Sequence, residues 1–567
     1  MKREVRFCLH IPRGTYNDDA LYVKEQITYD SNEMLPNTYV VYNYKRPVWV
    51  TKPSYRNNKS KKEFEDMDKL IKIETTESDI YLNVAKALGK PYLANNEIEI
   101  RNSPYVYGLD QTVTSLYKLE SLKNNSFIQS PYTVAAFDLE ATIGDQVPIV
   151  ISSVFKKDIV VSVLGSFLDD TKKIEKAFRD YLPDYIDYNL HIHISDDPIY
   201  VIKKVFDFLN EKMPDFLAIW NMDYDIPTIL GYIRSKNKNP KDILCDPRID
   251  KNLRVCYYKQ GKKKKITFSK VVKPINPSLQ WHTLYLTAPF YVIDSMCCYR
   301  QIRIHQQEEP SYSLDYILNK ELNKSKLKFN ILEGIGGYMW HKVMQEKYRP
   351  EYVIYNIFDS IGILELDYKL KDLSHTLPSA AGMTDFSKFN SNPKRIMDAL
   401  YIFGLKKDKV IATSQVPEYK INDKDIDDDI DDTEDKEDET DDELKYETLG
   451  LKGWIQLLPQ NLLKKEGLKV IEEFPNQVTN IRGLVVDLDS VSSYPTCINV
   501  ANVSKETTFT EVIKITNIDE TYSLRNDVLY DILLGFCFGE CFAIEFFSRT
   551  FNMPRLEYIY DILNMET

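Results

Sequence analysis

The stretch Tyr132-Thr-Val-Ala-Ala-Phe-Asp-Leu-Glu-Ala-Thr142 decides how this 567-residue chain is read. Its β-branched, small and aromatic residues predict a strand. Side chains alternate along a strand, so Phe137 and Leu139 share one face while Asp138 and Glu140 share the other. One face packs into a core, and the other carries two carboxylates about one pleat apart. Like charges that close are unfavourable unless something positive lies between them, and a divalent cation is the usual solution. Taken alone, Asp-x-Glu more often marks a half-buried strand with two solvated acids. The rest of the chain changes that balance.

Length predicts three to four domains. Hydrophobic residues at 43% suffice for sizeable cores, and no run of about 18 uncharged apolar residues predicts a membrane span. The start, Met-Lys-Arg-Glu-Val-Arg-Phe-Cys, lacks the apolar segment of a signal peptide. The eight cysteines show no metal or disulfide spacing and read as reduced thiols, so the expected location is the cytoplasm. The net charge of −12 is concentrated. Residues 423–443 hold 15 acids against Lys424 and Lys436, leaving the remainder near neutral and compatible with a polyanionic partner.

In chain order, residues 1–115 mix strand-like runs (Tyr39-Val-Val-Tyr42, Val48-Trp-Val50) with a basic stretch, Tyr55-Arg-Asn-Asn-Lys-Ser-Lys-Lys62, expected to be a solvated face. Phe216-Leu-Ala-Ile-Trp220 predicts a second buried strand. It runs into Asn221-Met-Asp-Tyr-Asp225-Ile-Pro227, where Asp225 suits a helix N-cap with Pro227 in the first turn. The segment from Arg254 to Phe268 reads as one β-hairpin with Lys262, Lys263, Lys264 and Lys265 just after its glycine. Such a cluster is often a soluble edge, and it also suits phosphate contact. Pro350-Glu-Tyr-Val-Ile-Tyr355-Asn-Ile-Phe-Asp359 predicts a helix with Tyr355 and Asp359 on one face. A helix is expected from Pro393 to Phe403. The acidic tract predicts a disordered insertion, residues 416–446. Beyond it, Leu484-Val-Val-Asp-Leu-Asp489 reads as a strand ending in the turn Ser490-Val-Ser-Ser-Tyr494-Pro495, and a further helix is expected near residues 539–550.

The ordered set Asp138-x-Glu140, Asn221-Met-Asp-Tyr-Asp225 and Tyr355-x3-Asp359, followed by Asp489-Ser-Val-Ser-Ser-Tyr494-Pro495, resembles the family B DNA polymerases, most closely those of T-even-like and giant phages. Their proofreading exonuclease carries a D-x-E strand, an Asn-x2–3-Phe/Tyr-Asp element and a Tyr-x3-Asp helix in this order. Their first palm motif is Asp-x2-Ser-x-Tyr-Pro. The likeness extends to the residues from Arg46 to Leu70 and to Pro310-Ser-Tyr-Ser-Leu-Asp-Tyr-Ile317. The second element is one residue shorter than the commoner family form, so Asp223 competes with Asp225. Asp225 is preferred because it follows an aromatic and precedes Ile-Pro.

The resemblance implies an α/β (mixed α+β) chain. Its parts would be an N-terminal mixed domain (1–115, completed by 370–415), an RNase H-like 3′–5′ exonuclease domain (116–369) and a partial polymerase palm (447–567). Asp138, Glu140, Asp225 and Asp359 would hold two Mg²⁺ (or Mn²⁺) ions about 4 Å apart around a scissile phosphate. Tyr355 would orient the attacking water, its phenol being no base at neutral pH. Asn221 and the four lysines would meet DNA. In the palm, Asp489 and the Ser490 carbonyl would ligate metal, Ser492 and Ser493 would face the dNTP triphosphate, and Tyr494 would exclude a 2′-hydroxyl. Expected partners are a DNA primer-template, a single-stranded 3′ end and dNTPs, with replisome proteins such as a sliding clamp and no membrane.

The family's fingers helix and its Asp-Thr-Asp palm hairpin do not occur after Pro495, and Asp432-Thr-Glu-Asp435 precedes the palm motif within the acidic tract. The expectation is therefore the N-terminal portion of such a polymerase, either as one subunit of a split enzyme whose C-terminal companion carries fingers, the rest of the palm and thumb, or as an incomplete chain. The alternatives are a free-standing exonuclease with a vestigial palm, and a non-catalytic DNA-binding scaffold.

Overall fold

A computed structural model describes residues 2–415 except 31–32, 125–130, 267–271, 305, 307, 326, 328–336, 382–385 and 387–391. The acidic tract, the palm motif and the helix expected near 539–550 lie outside the described residues.

The chain opens with antiparallel strands β1 (Lys2–Ile11), β2 (Ala20–Thr28) and β3 (Met34–Tyr42). A second sheet is formed by β4 (Arg46–Thr51), β6 (Leu70–Thr75) and β7 (Val106–Tyr107), in the order β6-β4-β7. Helix α1 (Ile80–Leu88) covers it with Ile80, Val84 and Leu88, and α2 (Glu97–Asn102) and α3 (Val113–Asn124) follow. The short strand β5 (Phe64–Asp66) waits for a distant partner. That partner is β18 (Lys409–Ile411), which pairs antiparallel with it. Tyr401, Val410 and Ile411 share a core with Trp49, Leu70 and Tyr107, so residues far apart in sequence complete one packing unit.

The basic stretch from Tyr55 to Lys62 is not simply a solvated face. Arg56 donates to the carbonyls of Thr51, Ala87 and Leu88, each at 2.9 Å, and so caps the C-terminus of α1. Lys61 donates to the carbonyls of Arg101 and Thr413, and burial holds its ammonium down to about 8. Burial strips these cations of water, and backbone carbonyls are the nearest replacement.

The main sheet has eight strands: β8 (Val134–Ala141), β9 (Pro148–Phe155), β10 (Asp158–Leu164), β11 (Asn189–Ser195), β12 (Phe216–Ile219), β13 (Cys256–Lys259), β16 (Thr283–Leu286) and β17 (Tyr291–Asp294). Their order is β11-β10-β9-β8-β12-β17-β16-β13, with parallel pairs at β11/β10, β8/β12 and β12/β17 and antiparallel pairs elsewhere. The architecture is mixed α/β around a large mixed sheet. Both predicted buried strands are present as β8 and β12, side by side at the centre. Apolar residues reach both faces. Helices α4 (Thr171–Tyr181) and α5 (Pro198–Lys212) precede β12, and Phe206 of α5 packs on Phe137 with ring centroids 6.0 Å apart. A fully buried side chain of that kind contributes about 1.5–3 kcal/mol. The opposite face of β8 lies under a long later helix described below.

The segment from Arg254 to Phe268 is not one hairpin. β13 pairs with β16, whereas β14 (Lys264–Ile266) pairs with β15 (Val272–Pro274). Gly261 marks the break, because a Cβ there would meet the Gln280 backbone carbon at 2.7 Å. The five described cysteines (8, 245, 256, 297 and 298) form no disulfide. No described helix is long and apolar enough to cross a membrane.

β17 ends in Asp294, which is 2% exposed and caps α8 (Ser295–Ile302) by accepting from Cys297 N at 2.9 Å. Burial pushes its carboxyl up to about 7, against the lowering effect of two backbone N–H groups and Arg300. The folded state therefore binds this proton more tightly than the unfolded chain does. The group favours the fold below the ordinary carboxylate range, around 4, and that contribution is lost as pH climbs through about 7. Asp294→Asn, neutral throughout, should gain stability relative to the parent between pH 5 and 8. Paired urea titrations check this; a difference that does not change with pH would contradict it.

Candidate active site

The remaining helices are α6 (Met222–Ser235), α7 (Pro240–Leu244), α9 (Leu314–Leu322), α10 (Gly337–Lys347) and α11 (Arg349–Leu370), then α12 (Leu377–Ala381) and α13 (Asn392–Leu405). The predicted helices at Tyr355 and at Pro393 are α11 and α13. Asp138 and Glu140 stand on β8, on the face covered by α11. Because β8 is central and both faces are covered, Asp138 is only 8% exposed. Asn356 Nδ2 of α11 donates to Asp138 Oδ2 at 2.7 Å. One turn away, Tyr352 donates its phenolic proton to Glu140 Oε2. Burial first, then the charge of Glu140, pushes the Tyr352 phenol far above its ordinary value, so it stays a donor.

That proton can be given once. His341 Nδ1, 2.9 Å from the same phenolic oxygen, therefore acts as the donor in that contact, which assigns its Nδ1–H form. Gln345 Nε2 lies 3.2 Å from the phenol and 2.9 Å from the Ala141 carbonyl, tying α10 to the end of β8. Tyr355 is 8% exposed, stacked on Tyr352 with centroids 6.1 Å apart and against Trp340 at 4.9 Å. Asp359 follows one turn on, 2% exposed. Helical periodicity places Tyr352, Tyr355, Asn356 and Asp359 on the stripe of α11 that faces β8.

Asp225 is reached through β12, whose Ile219 lies opposite Phe137 of β8. It is not the predicted N-cap. Asn221 holds that position, and Asp225 lies inside α6, 2% exposed, with Pro227 beyond the first turn. The buried series Met222, Ile226, Ile229, Leu230 and Ile233 pulls the helix start forward. The neighbouring Tyr224 is half exposed, and its phenol is pushed up by burial and then by Glu140, Asp225 and Asp138. A single phenol thus feels the carboxylates of two separate elements.

Asp223 points elsewhere. Its carboxylate accepts from Gln260 Nε2 at 2.8 Å and Lys263 Nζ at 2.9 Å, with His282 Nδ1 at 3.6 Å. Partial burial raises its pKa, but Lys263, Gln260 and His282 outweigh that and hold it below the usual range. Of the expected DNA-contacting residues, Asn221 is exposed at the head of α6, Lys262 and Lys263 precede β14, and Lys264 and Lys265 begin it. Asp489, Ser490, Ser492, Ser493 and Tyr494 lie outside the described residues.

Carboxylate oxygens are the donors that Mg²⁺ or Mn²⁺ prefers, and β8, α6 and α11 supply four of them. By donor chemistry the set fits such an ion. Its spacing is open: among the described residues no three His, Cys, Asp or Glu side chains are grouped so as to hold a metal. Asp138 and Glu140 are instead engaged by Asn356 and Tyr352. Tyr352, Asn356 and His341 carry no motif of their own, and only the helical spacing from Tyr355 and Asp359 points to the first two.

A central strand with paired acids thus lies beneath a helix bearing Tyr355 and Asp359. No family model matches the chain. It is similar to the DNA-directed DNA polymerase of Escherichia phage RB69, 26% identical over 206 residues. The matched stretch is 36% of this chain and 20% of that protein. This similarity supports a relationship to the DNA polymerases.

Proposed function

We propose that the described unit is a 3′–5′ exonuclease, RNase H-like in its core, serving as the proofreading part of a family B-type DNA polymerase. One observation carries the reading: two acids on the central strand β8 lie beneath the face of α11 that bears Tyr355 and Asp359, and a third acid, Asp225, stands on α6, which follows the adjoining strand β12. Asp138, Glu140, Asp225 and Asp359 would hold Mg²⁺ or Mn²⁺. Such ions, when bound, supply an activated water and charge stabilisation at the scissile phosphate. The chain's own residues do the positioning. Asn356 and Tyr352 fix the two β8 carboxylates by donating to them. Tyr355 would offer a phenolic proton to orient the attacking water. The half-exposed Tyr224 and Trp340 offer faces on which unpaired bases can stack.

The test uses the purified chain, a 5′-labelled primer on a template, Mg²⁺ and all four dNTPs. Stepwise shortening of the primer, stopped by chelation, is expected. No shortening with either Mg²⁺ or Mn²⁺ would overturn the nuclease reading and favour a scaffold. Extension of the primer would overturn the expectation that a companion must supply fingers and the second palm carboxylate.

A further inference from the structure

Asp223, passed over in favour of Asp225 as a catalytic acid, has a carboxylate with side-chain partners of its own. It sits two residues before Asp225 on the first turn of α6. Both its oxygens are used, Oδ1 by Gln260 and Oδ2 by Lys263. The loop from Gln260 to Lys263 is held from its other side as well. Gly261 N donates to His282 Nδ1 at 3.3 Å, in a space too tight for a side chain. The Lys263 carbonyl accepts from Ile275 N at 3.1 Å, and Gln280 Nε2 donates to the Ile275 carbonyl at 2.7 Å. The loop leads directly into the two-stranded ribbon β14/β15.

We propose that Asp223 and Lys263 form a latch that fixes the lysine-bearing ribbon against the first turn of α6. Lys263 is then a positioning residue and not a phosphate ligand. The latch rests on the exonuclease reading for its purpose, which is to set the path of a single-stranded 3′ end past Tyr224 and Asp225. Its chemistry is specific: one carboxylate receives a charge-assisted bond from the lysine and a neutral bond from the amide, so both loop positions are fixed at once. Phosphate contact falls to the neighbouring lysines, among them the exposed Lys264.

The experiment measures binding of a single-stranded oligonucleotide to the full chain across a salt series, with cleavage followed in parallel. Asp223→Ala and Lys263→Met should each weaken binding about twofold to fivefold, the range of an ion pair at a partly exposed site. Neither should change the slope of log affinity against log salt. Loss of a true phosphate contact lowers that slope by about 0.7 for a single strand. Asp223→Lys combined with Lys263→Asp should restore most of the affinity. A reduced slope for Lys263→Met, or a charge-swapped protein no better than the single variants, would overturn the latch. Binding without any cleavage by the parent protein would defeat the exonuclease reading and leave the latch standing on its own.

Discussion

Asp138→Asn is expected to leave the protein folded and to lower the rate of 3′-end removal by about a thousandfold or more, roughly 4 kcal/mol of transition-state stabilisation. The substitution is nearly isosteric in a site that is 8% exposed. The introduced amide oxygen can still accept from Asn356 Nδ2, now 2.7 Å from the carboxylate. What is lost is charge, on a strand face that also carries Glu140. The unfolding midpoint should therefore hold or rise slightly, since two crowded carboxylates become one. Gel analysis of a 5′-labelled single strand, with circular dichroism as the folding control, reads both quantities. Undiminished cleavage would remove Asp138 from the chemistry.

Lys24→Met is the substitution expected to harm the fold most. Lys24 is fully buried on β2, and its ammonium donates to the Met213 carbonyl at 2.8 Å, the Pro214 carbonyl at 2.7 Å and Asp215 Oδ1 at 2.7 Å. Burial lowers the Lys24 pKa, and Asp215 opposes that shift. Asp215 Oδ2 meanwhile accepts from Thr133 N and Oγ1, just before β8 begins. Truncation leaves a buried carboxylate and two carbonyls without their shared donor, a loss of about 3–5 kcal/mol. Arg6 remains nearby, lying over the Tyr132 ring at 4.2 Å and lowering the Asp215 pKa through its charge, so the lower end is expected. Urea unfolding followed by tryptophan fluorescence measures it. Adding Asp215→Asn should recover part of the loss, because the unpaired charge goes while an acceptor for Thr133 remains. A loss below about 1 kcal/mol for Lys24→Met would show that the pair carries little of the packing.

The sequence was legible where a pattern is local. Alternation in β8 separated Phe137 from Asp138, and helical spacing aligned Tyr355 with Asp359. Long-range partners left no such trace. Tyr352 meets Glu140 across 212 positions and Asn356 meets Asp138 across 218, and nothing near either residue announces the other. The misread hairpin has the same origin: β13 and β14 are close in sequence, but each is claimed by a strand that arrives later. Arg56 and Lys61 looked like solvent-facing charges because their acceptors are backbone carbonyls, which every residue possesses. Asp225 looked like a cap because its residue type suits one, and the apolar series of α6 overruled that local preference. The palm motif lies outside the described residues, so its reading rests on sequence alone.

The return of the chain to its first strands has a consequence for how such a protein can change over time. Ser414 donates both its N–H and its hydroxyl to Asp110, at 2.7 and 2.8 Å, while Lys61 grips the carbonyl of Thr413. Asp110 is also paired with Arg101 at 3.0 Å, so the attachment is anchored on both sides. Change at Lys61 or Asp110 is therefore tied to residues more than 300 positions further along the chain. A stop placed before Thr413 would remove one of the two carbonyls held by Lys61 and both Ser414 donors to Asp110, and so loosen the seam between the two ends of the unit.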